Sequence, residues 1–136
     1  MLDTNVVTAF EREDRNVLAR AKALPDSEIF VTVVSLQEQM VGRLARLNQQ
    51  LGPEALVIAY RNLAQTFGFF ANANVLPYDD RAARIDDDLR VRLRRMGTKD
   101  RRIAAITLAH GHTLVTRNTI DFRDVPGLGL EDWMAS

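Results

Sequence analysis

Four acidic residues, Asp3, Glu38, Asp100 and Asp121, carry the chemistry this sequence has to offer. Carboxylates drawn together repel one another, and each raises its neighbours' pKa unless a cation lies among them. Mg2+ relieves that repulsion. It prefers octahedral oxygen coordination, keeps several waters, and is held directly by one or two carboxylates while others reach it through those waters. An ion held this way orients a water, lowers its pKa and stabilises the charge that builds on a phosphodiester during in-line attack. Other hydrolytic routes are poorly supplied: the chain has no cysteine, no P-loop, no Gly-x-Ser-x-Gly and no pair of histidines at helical ligand spacing.

Each acid also has a purely structural reading. Asp3 stands where an N-cap would stand before a short helix. Glu38 follows Ser35 at the Ser-x-x-Glu spacing of a capping box. Asp100 lies in a first helical turn and answers the helix dipole, and Asp121 can cap a turn. The aspartate run Asp86, Asp87 and Asp88 precedes Arg90 and Arg92, and predicts a solvated helix face laced with ion pairs. His110 and His112 flank Gly111 and fit helix-end and loop roles better than a metal pair.

The elements that must position the acids are legible around residues 98–122. Thr98 is placed to cap a helix running through the apolar stretch IAAITLA, Gly111 ends it, and LVT makes a short buried strand. Asp121 falls just beyond that strand's carboxyl end, where open α/β sheets bind their ligands. Upstream, Met1 and Leu2 make a minimal edge strand before Asp3, and residues 14–24 form a helix that Pro25 stops. The β-branched run 28–34 is the clearest strand. A helix over 36–47 carries the stripe Leu36, Met40, Leu44 and Leu47. After the Gly52-Pro53 turn, a helix over 54–70 places Leu56, Ala59, Tyr60, Leu63, Phe67 and Phe70 on one face, so the two form an antiparallel hairpin. A short strand at 74–76, a helix from Asp79 or Asp80 to Gly97, and a brief edge strand at 128–130 complete the chain, with Trp133 covering core. Strands alternating with helices predict an α/β fold: one parallel sheet of about four to five strands in a three-layer α/β/α sandwich, with all four acids at the sheet's carboxyl edge.

Composition bounds the rest. A chain of 136 residues, 46% hydrophobic, is long enough for one core, burying roughly 68% of its unfolded surface, and a single domain over 1–136 is expected. The absence of cysteine excludes disulfides and thiolate zinc sites and makes the reducing cytoplasm the expected home. No apolar run reaches the roughly 18 residues of a membrane span, and neither span nor signal peptide is predicted. A net charge of zero argues against gripping nucleic acid with the whole surface, leaving room for a local basic patch.

The segments LDTN at 2–5, VSLQEQMVG at 34–42, GTKDRRIAAITLAHG at 97–111 and LVTRNTIDFRDVPGL at 114–128 resemble the PIN-domain ribonucleases, and more narrowly the VapC toxins of VapBC toxin-antitoxin pairs. The likeness runs from end to end in the expected order; the chain departs in having a shorter apolar strand before its first aspartate. The resemblance implies a Mg2+- or Mn2+-dependent endoribonuclease that cuts single-stranded regions of tRNA, rRNA or mRNA. It implies metal-binding and catalytic roles for Asp3, Glu38, Asp100 and Asp121, with Thr4, Asn5, Thr116 and Asn118 supporting the site. It also implies a VapB-like antitoxin partner, seated in a groove formed by the helical hairpin, and a homodimer.

RNA must also be held. The stretch RVRLRRMGTKDRR at 90–102 carries seven basic residues against one acid, enough to grip the phosphates beside a scissile bond. Its other reading is a charged outer helix face. Lys99, Arg101 and Arg102 border the acids and are the expected RNA contacts. On the hairpin, Val41, Ile58 and Phe69 are apolar extras beyond the main stripe, the kind of surface another chain covers. Two rival readings remain: a PIN-like module that binds RNA or a partner without cutting, and a receiver-like phosphoacceptor, which would need a late-strand lysine facing the acids, whereas the only lysines are Lys22 and Lys99.

Overall fold

The sheet is assembled around Leu2. In the computed structural model of the chain, which describes residues 1–133, Leu2 bridges in parallel to Val31 and to Val115. Strand β1 (Phe30–Thr32) pairs in parallel with β2 (Asn74–Leu76), and β3 (Leu114–Val115) pairs in parallel with β4 (Leu130–Glu131). The order is therefore β2, β1, Leu2, β3, β4. The expected edge strand is the centre of the sheet. It can be this short because both neighbours hold it: the Leu2 amide donates to Phe30 O (2.8 Å), the Asp3 amide to Val115 O (2.9 Å), and Val115 N to Met1 O (2.7 Å).

The pleat sends alternate side chains to opposite faces, and each face has its own core. Met1 and Leu114 join a cluster with Val34, Ala82, Leu89, Ile103, Ile106 and Phe122, supplied by helices α3 (Val33–Leu47), α5 (Asp80–Arg92), α6 (Thr98–Ala109) and α7 (Thr119–Phe122). Leu2, Val31 and Val115 join the other, with Val6, Val7, Val17, Phe70 and Trp133, built on α1 (Thr4–Glu11), α2 (Arg15–Lys22) and α4 (Pro53–Asn72). Helices cover both faces, giving the three-layer α/β/α sandwich. Helix α6 is the most deeply set, with Ile103, Ala104, Ala105 and Ile106 fully buried. Gly111 ends it at φ +67°, a left-handed turn that glycine adopts without strain. Among the described residues no helix is long and apolar enough to cross a membrane.

Several boundaries differ from the sequence reading. Strand β1 stops at Thr32 because the Thr32 hydroxyl accepts the Ser35 amide (3.0 Å) and turns Val33 and Val34 into α3. Thr32, not Ser35, is the cap. Gly97, not Thr98, occupies the N-cap position of α6. Helix α5 ends at Arg92, leaving residues 93–97 as a loop, and the last strand lies at Leu130–Glu131 rather than at 128–130. Trp133 is buried, as expected.

The largest difference lies in the hairpin of α3 and α4. Strands of three residues are about 10 Å long, whereas helices of 15 and 20 residues run about 22 and 30 Å. The hairpin therefore outruns the sheet it should cover. Leu44, Tyr60 and Phe67, expected on the buried stripe, are 52%, 58% and 65% exposed, and Val41 and Ile58 are exposed as expected. Phe69 is not a surface extra: it packs in an aromatic cluster with Phe10 and Phe70, ring centroids 5.6 and 5.1 Å away.

Candidate active site

Asp3 is placed by the central strand and held by the start of α1. It is only 4% exposed; the Thr4 amide donates to its Oδ1 (2.8 Å) and the Thr116 hydroxyl to its Oδ2 (2.8 Å). Burial raises its pKa, the two hydrogen bonds work against that rise, and the charges of Glu38 and Asp121 add to it. Thr116 leaves the end of β3 and also accepts the Asn118 amide (3.0 Å), turning the loop toward α7 and Asp121.

Glu38 is drawn to the same place by hydroxyls. Thr4 Oγ1 donates to Glu38 Oε1 (2.8 Å), which leaves the Thr4 oxygen free to accept from Ser35 Oγ, 3.0 Å away. Glu38 does not reach back to its own helix start, so the capping box is absent and the carboxylate instead faces Asp3's helix. Thr4 and Thr116 thus support the acids, and Asn118 does so through its backbone. Asn5 differs: its Oδ1 is buried with no hydrogen-bond partner among the described residues.

Asp100, in the first turn of α6, lines an open cleft of about 530 Å3 together with Asp121 and Asp124. Partial burial pushes its carboxyl up to about 6, and the charges of Asp3, Glu38 and Asp121 add to the rise. The four acids are thus one electrostatic unit with an excess of negative charge. Among the described residues no three of them close into a ready-made coordination set; they act on one another through charge. An all-carboxylate set of hard oxygens fits a hard divalent cation that retains part of its hydration shell.

The basic stretch is sorted by the fold. Arg101 is ion-paired with Asp86, at side-chain exposures of 12% and 8%, and Arg102 approaches the same carboxylate at 3.8 Å. The Tyr78 hydroxyl donates to Asp86 as well. Asp86 is therefore buried between α5 and α6 rather than solvated, and two of the three expected RNA contacts are engaged in holding it. Asp87 and Asp88 do form the expected exposed pairs, with Arg90 (2.8 Å) and Arg92 (3.2 Å). Lys99, Arg94 and Arg95 have no ion pair among the described residues, and Arg94 and Arg95 line the cleft beside Asp100 and Asp121. The sequence reading counted these two arginines in the basic stretch but preferred Lys99, Arg101 and Arg102 because they border Asp100 in sequence, and it carried the helix through to Gly97. Their place just before Gly97 was the available signal for a loop. His110 bonds the Ile106 carbonyl through Nδ1 (2.9 Å) and His112 stacks on Phe30 (centroids 4.4 Å apart), both away from the acids.

Residues 1–128 match the PIN domain family. A relative from Salmonella typhimurium, named tRNA(fMet)-specific endonuclease VapC, is 32% identical over 138 residues, spanning 98% of this chain and 96% of its own. A second, Ribonuclease VapC1 of Rickettsia felis, is 28% identical over 94% of this chain and 91% of its own. Among solved structures, the DNA-bound VapBC complex of Salmonella typhimurium superposes with a TM-score of 0.77 at 31% identity, over 98% of this chain and 96% of that one. VapBC2 of Rickettsia felis gives a TM-score of 0.80 at 23% identity, over 98% and 97%, a likeness of fold. The chain belongs to the PIN-domain family and, within it, to the VapC-type toxins of VapBC pairs, which are endoribonucleases.

Proposed function

We propose that this endoribonuclease, folded as a single domain over 1–136, hydrolyses single-stranded RNA with a divalent cation, Mg2+ or Mn2+, gathered by Asp3, Glu38, Asp100 and Asp121. The observation that carries the reading is the mutual charge coupling of these four acids, none of which has an ion pair among the described residues. Asp3 is the fixed point of the set, since Thr4 N and Thr116 Oγ1 leave its carboxylate one orientation. Glu38 is held through Thr4. Asp100 and Asp121 open onto the cleft and meet the RNA. A bound divalent cation supplies charge stabilisation for in-line attack by water and lowers that water's pKa. Arg94 and Arg95, with Lys99 beside Asp100, grip phosphates along the cleft; Arg101 and Arg102 contribute to the position of α6 through Asp86.

Transfer RNA is the first substrate to test, given the name of the Salmonella relative. A VapB-like antitoxin covers the exposed apolar side of the α3 and α4 hairpin, consistent with the VapBC complex of Salmonella typhimurium that the chain resembles. A homodimer and a cytoplasmic site of action complete the reading.

The test is cleavage of a total-RNA sample by the purified protein with Mg2+ or Mn2+, with a chelator, and with Asp100→Asn alongside. Discrete fragments that need the cation and fall at least about 100-fold in the variant, roughly 3 kcal/mol of transition-state stabilisation, support the reading. Cleavage that persists in chelator, or that survives in a folded Asp100→Asn protein, overturns it.

A further inference from the structure

A second cavity, of about 400 Å3, is lined by Asn5, Thr8, Ala9, Arg12, Asp14 and Arg117. It shares no residue with the cleft that holds Asp100, Asp121, Arg94 and Arg95. It nevertheless borders the same acids through the chain: Asn5 lies on the first turn of α1, the helix that Asp3 caps, and Arg117 follows Thr116, whose hydroxyl holds the Asp3 carboxylate. Arg12 and Arg117 are exposed and have no ion pair among the described residues. Asp14, the one acid of the cavity, is occupied: its Oδ1 accepts the Asn16 and Val17 amides (3.0 and 3.1 Å) and caps α2. The cavity thus keeps a net positive charge from two guanidinium groups. Asn5 also lines the cavity, but its orphaned Oδ1 is a buried acceptor that offers a phosphate no hydrogen bond.

Arg12 lies near enough to Glu11 to lower its pKa, yet exposed guanidinium groups outside any close ion pair, beside a site whose own charge is negative, suit a ligand that carries phosphates at a regular spacing. A single RNA strand does so on either side of the bond being cut. We propose that Arg12 and Arg117 form a second backbone-phosphate subsite for the RNA, separate from the Arg94 and Arg95 cleft, so that the strand is gripped at two places bordering the acids. The proposal rests on the RNA-cleaving reading above and names how that site holds its substrate. It explains why a chain of zero net charge can hold a polyanion: the basic residues are few, but two groups of them are left uncommitted where the strand must lie.

The experiment measures binding of a single-stranded RNA oligonucleotide to the Asp100→Asn protein without divalent cation, over a range of salt concentrations. In that background, Arg12→Gln with Arg117→Gln is compared with Arg81→Gln and Arg84→Gln, a double change of the same charge on the exposed surface of α5. The subsite double variant is expected to bind on the order of ten-fold more weakly, with the slope of log affinity against log salt reduced by about 1.4, two contacts at about 0.7 each for a single strand. The α5 control is expected to change neither. Equal behaviour of the two double variants, or no RNA binding in any of them, overturns the subsite. Wild-type cleavage assayed in parallel keeps the two readings apart: failure to cleave sinks the nuclease reading, while the binding comparison still decides the subsite.

Discussion

Asp86 and Asp100 are both carboxylates drawn in from solvent beside α6, and the protein balances them in opposite ways. Asp86 receives Arg101, Arg102 and the Tyr78 hydroxyl. Asp100, one residue before Arg101, faces Asp3, Glu38 and Asp121 and is pushed up to about 6. Burying a charge is tolerable when opposite charge and hydrogen bonds come with it, and Asp86 has both. Asp100 has neither among the described residues, which is the setting the proposed divalent cation would complete. The contrast separates a carboxylate that builds the fold from one proposed to work in the site, and a shift in charge balance between neighbouring positions of α6 is enough to do so.

The contrast can be broken from either side. Asp86→Ala leaves Arg101 buried and unpaired, and is expected to lower stability by about 3 kcal/mol, read as a fall in Tm of roughly 10 °C or as a lower midpoint in urea. An unchanged midpoint would make Asp86 a bystander. Thr116→Val removes the donor from Asp3 Oδ2 and leaves a buried carboxylate oxygen unpaired. The cost is about 2 kcal/mol in urea unfolding, with weaker divalent-cation binding because the Asp3 pKa climbs further. Thr116→Ser, which keeps the hydroxyl, restores both. Asp100→Asn is expected to move stability the other way and by less. Because the folded pKa of Asp100 lies above its ordinary value of 3.8, its contribution is full below that value and is lost as pH rises through about 6. The metal-free asparagine variant lacks that loss, so at pH 8 its Tm should equal or exceed that of wild type, with the difference shrinking toward pH 4.

Much of this was legible in the residues. The order of helices and strands and the place of the four acids at the carboxyl edge of a parallel sheet follow from local patterns that the fold obeys, whereas supporting roles for Thr4 and Thr116 were implied only by the family resemblance. The parts that were not legible share a cause: they depend on what lies across the molecule. A strand that pairs through Leu2 alone leaves no periodicity to read, so its central place between Val31 and Val115 could only come from the assembled sheet. The run of three aspartates reads as solvated on any helical wheel, and only Arg101 arriving from α6 makes Asp86 a buried partner. Ser35 and Glu38 keep the spacing of a capping box, yet Thr32 supplies the cap and Thr4 takes the glutamate, because tertiary partners outbid local ones. The stripe on α3 and α4 is a proper amphipathic pattern, but the strands beneath are too short to bury it, so Leu44, Tyr60 and Phe67 stay exposed.

The most direct test of the central claim is the effect of Mn2+ on Tm at pH 8, measured for wild type, Asp86→Ala and Asp100→Asn. An acid cluster that lacks only a cation predicts a clear, saturable rise in wild type, a rise of the same size from a lower starting point in Asp86→Ala, and little or none in Asp100→Asn. A rise in Asp100→Asn equal to that of wild type, or no rise in any of the three, would contradict it.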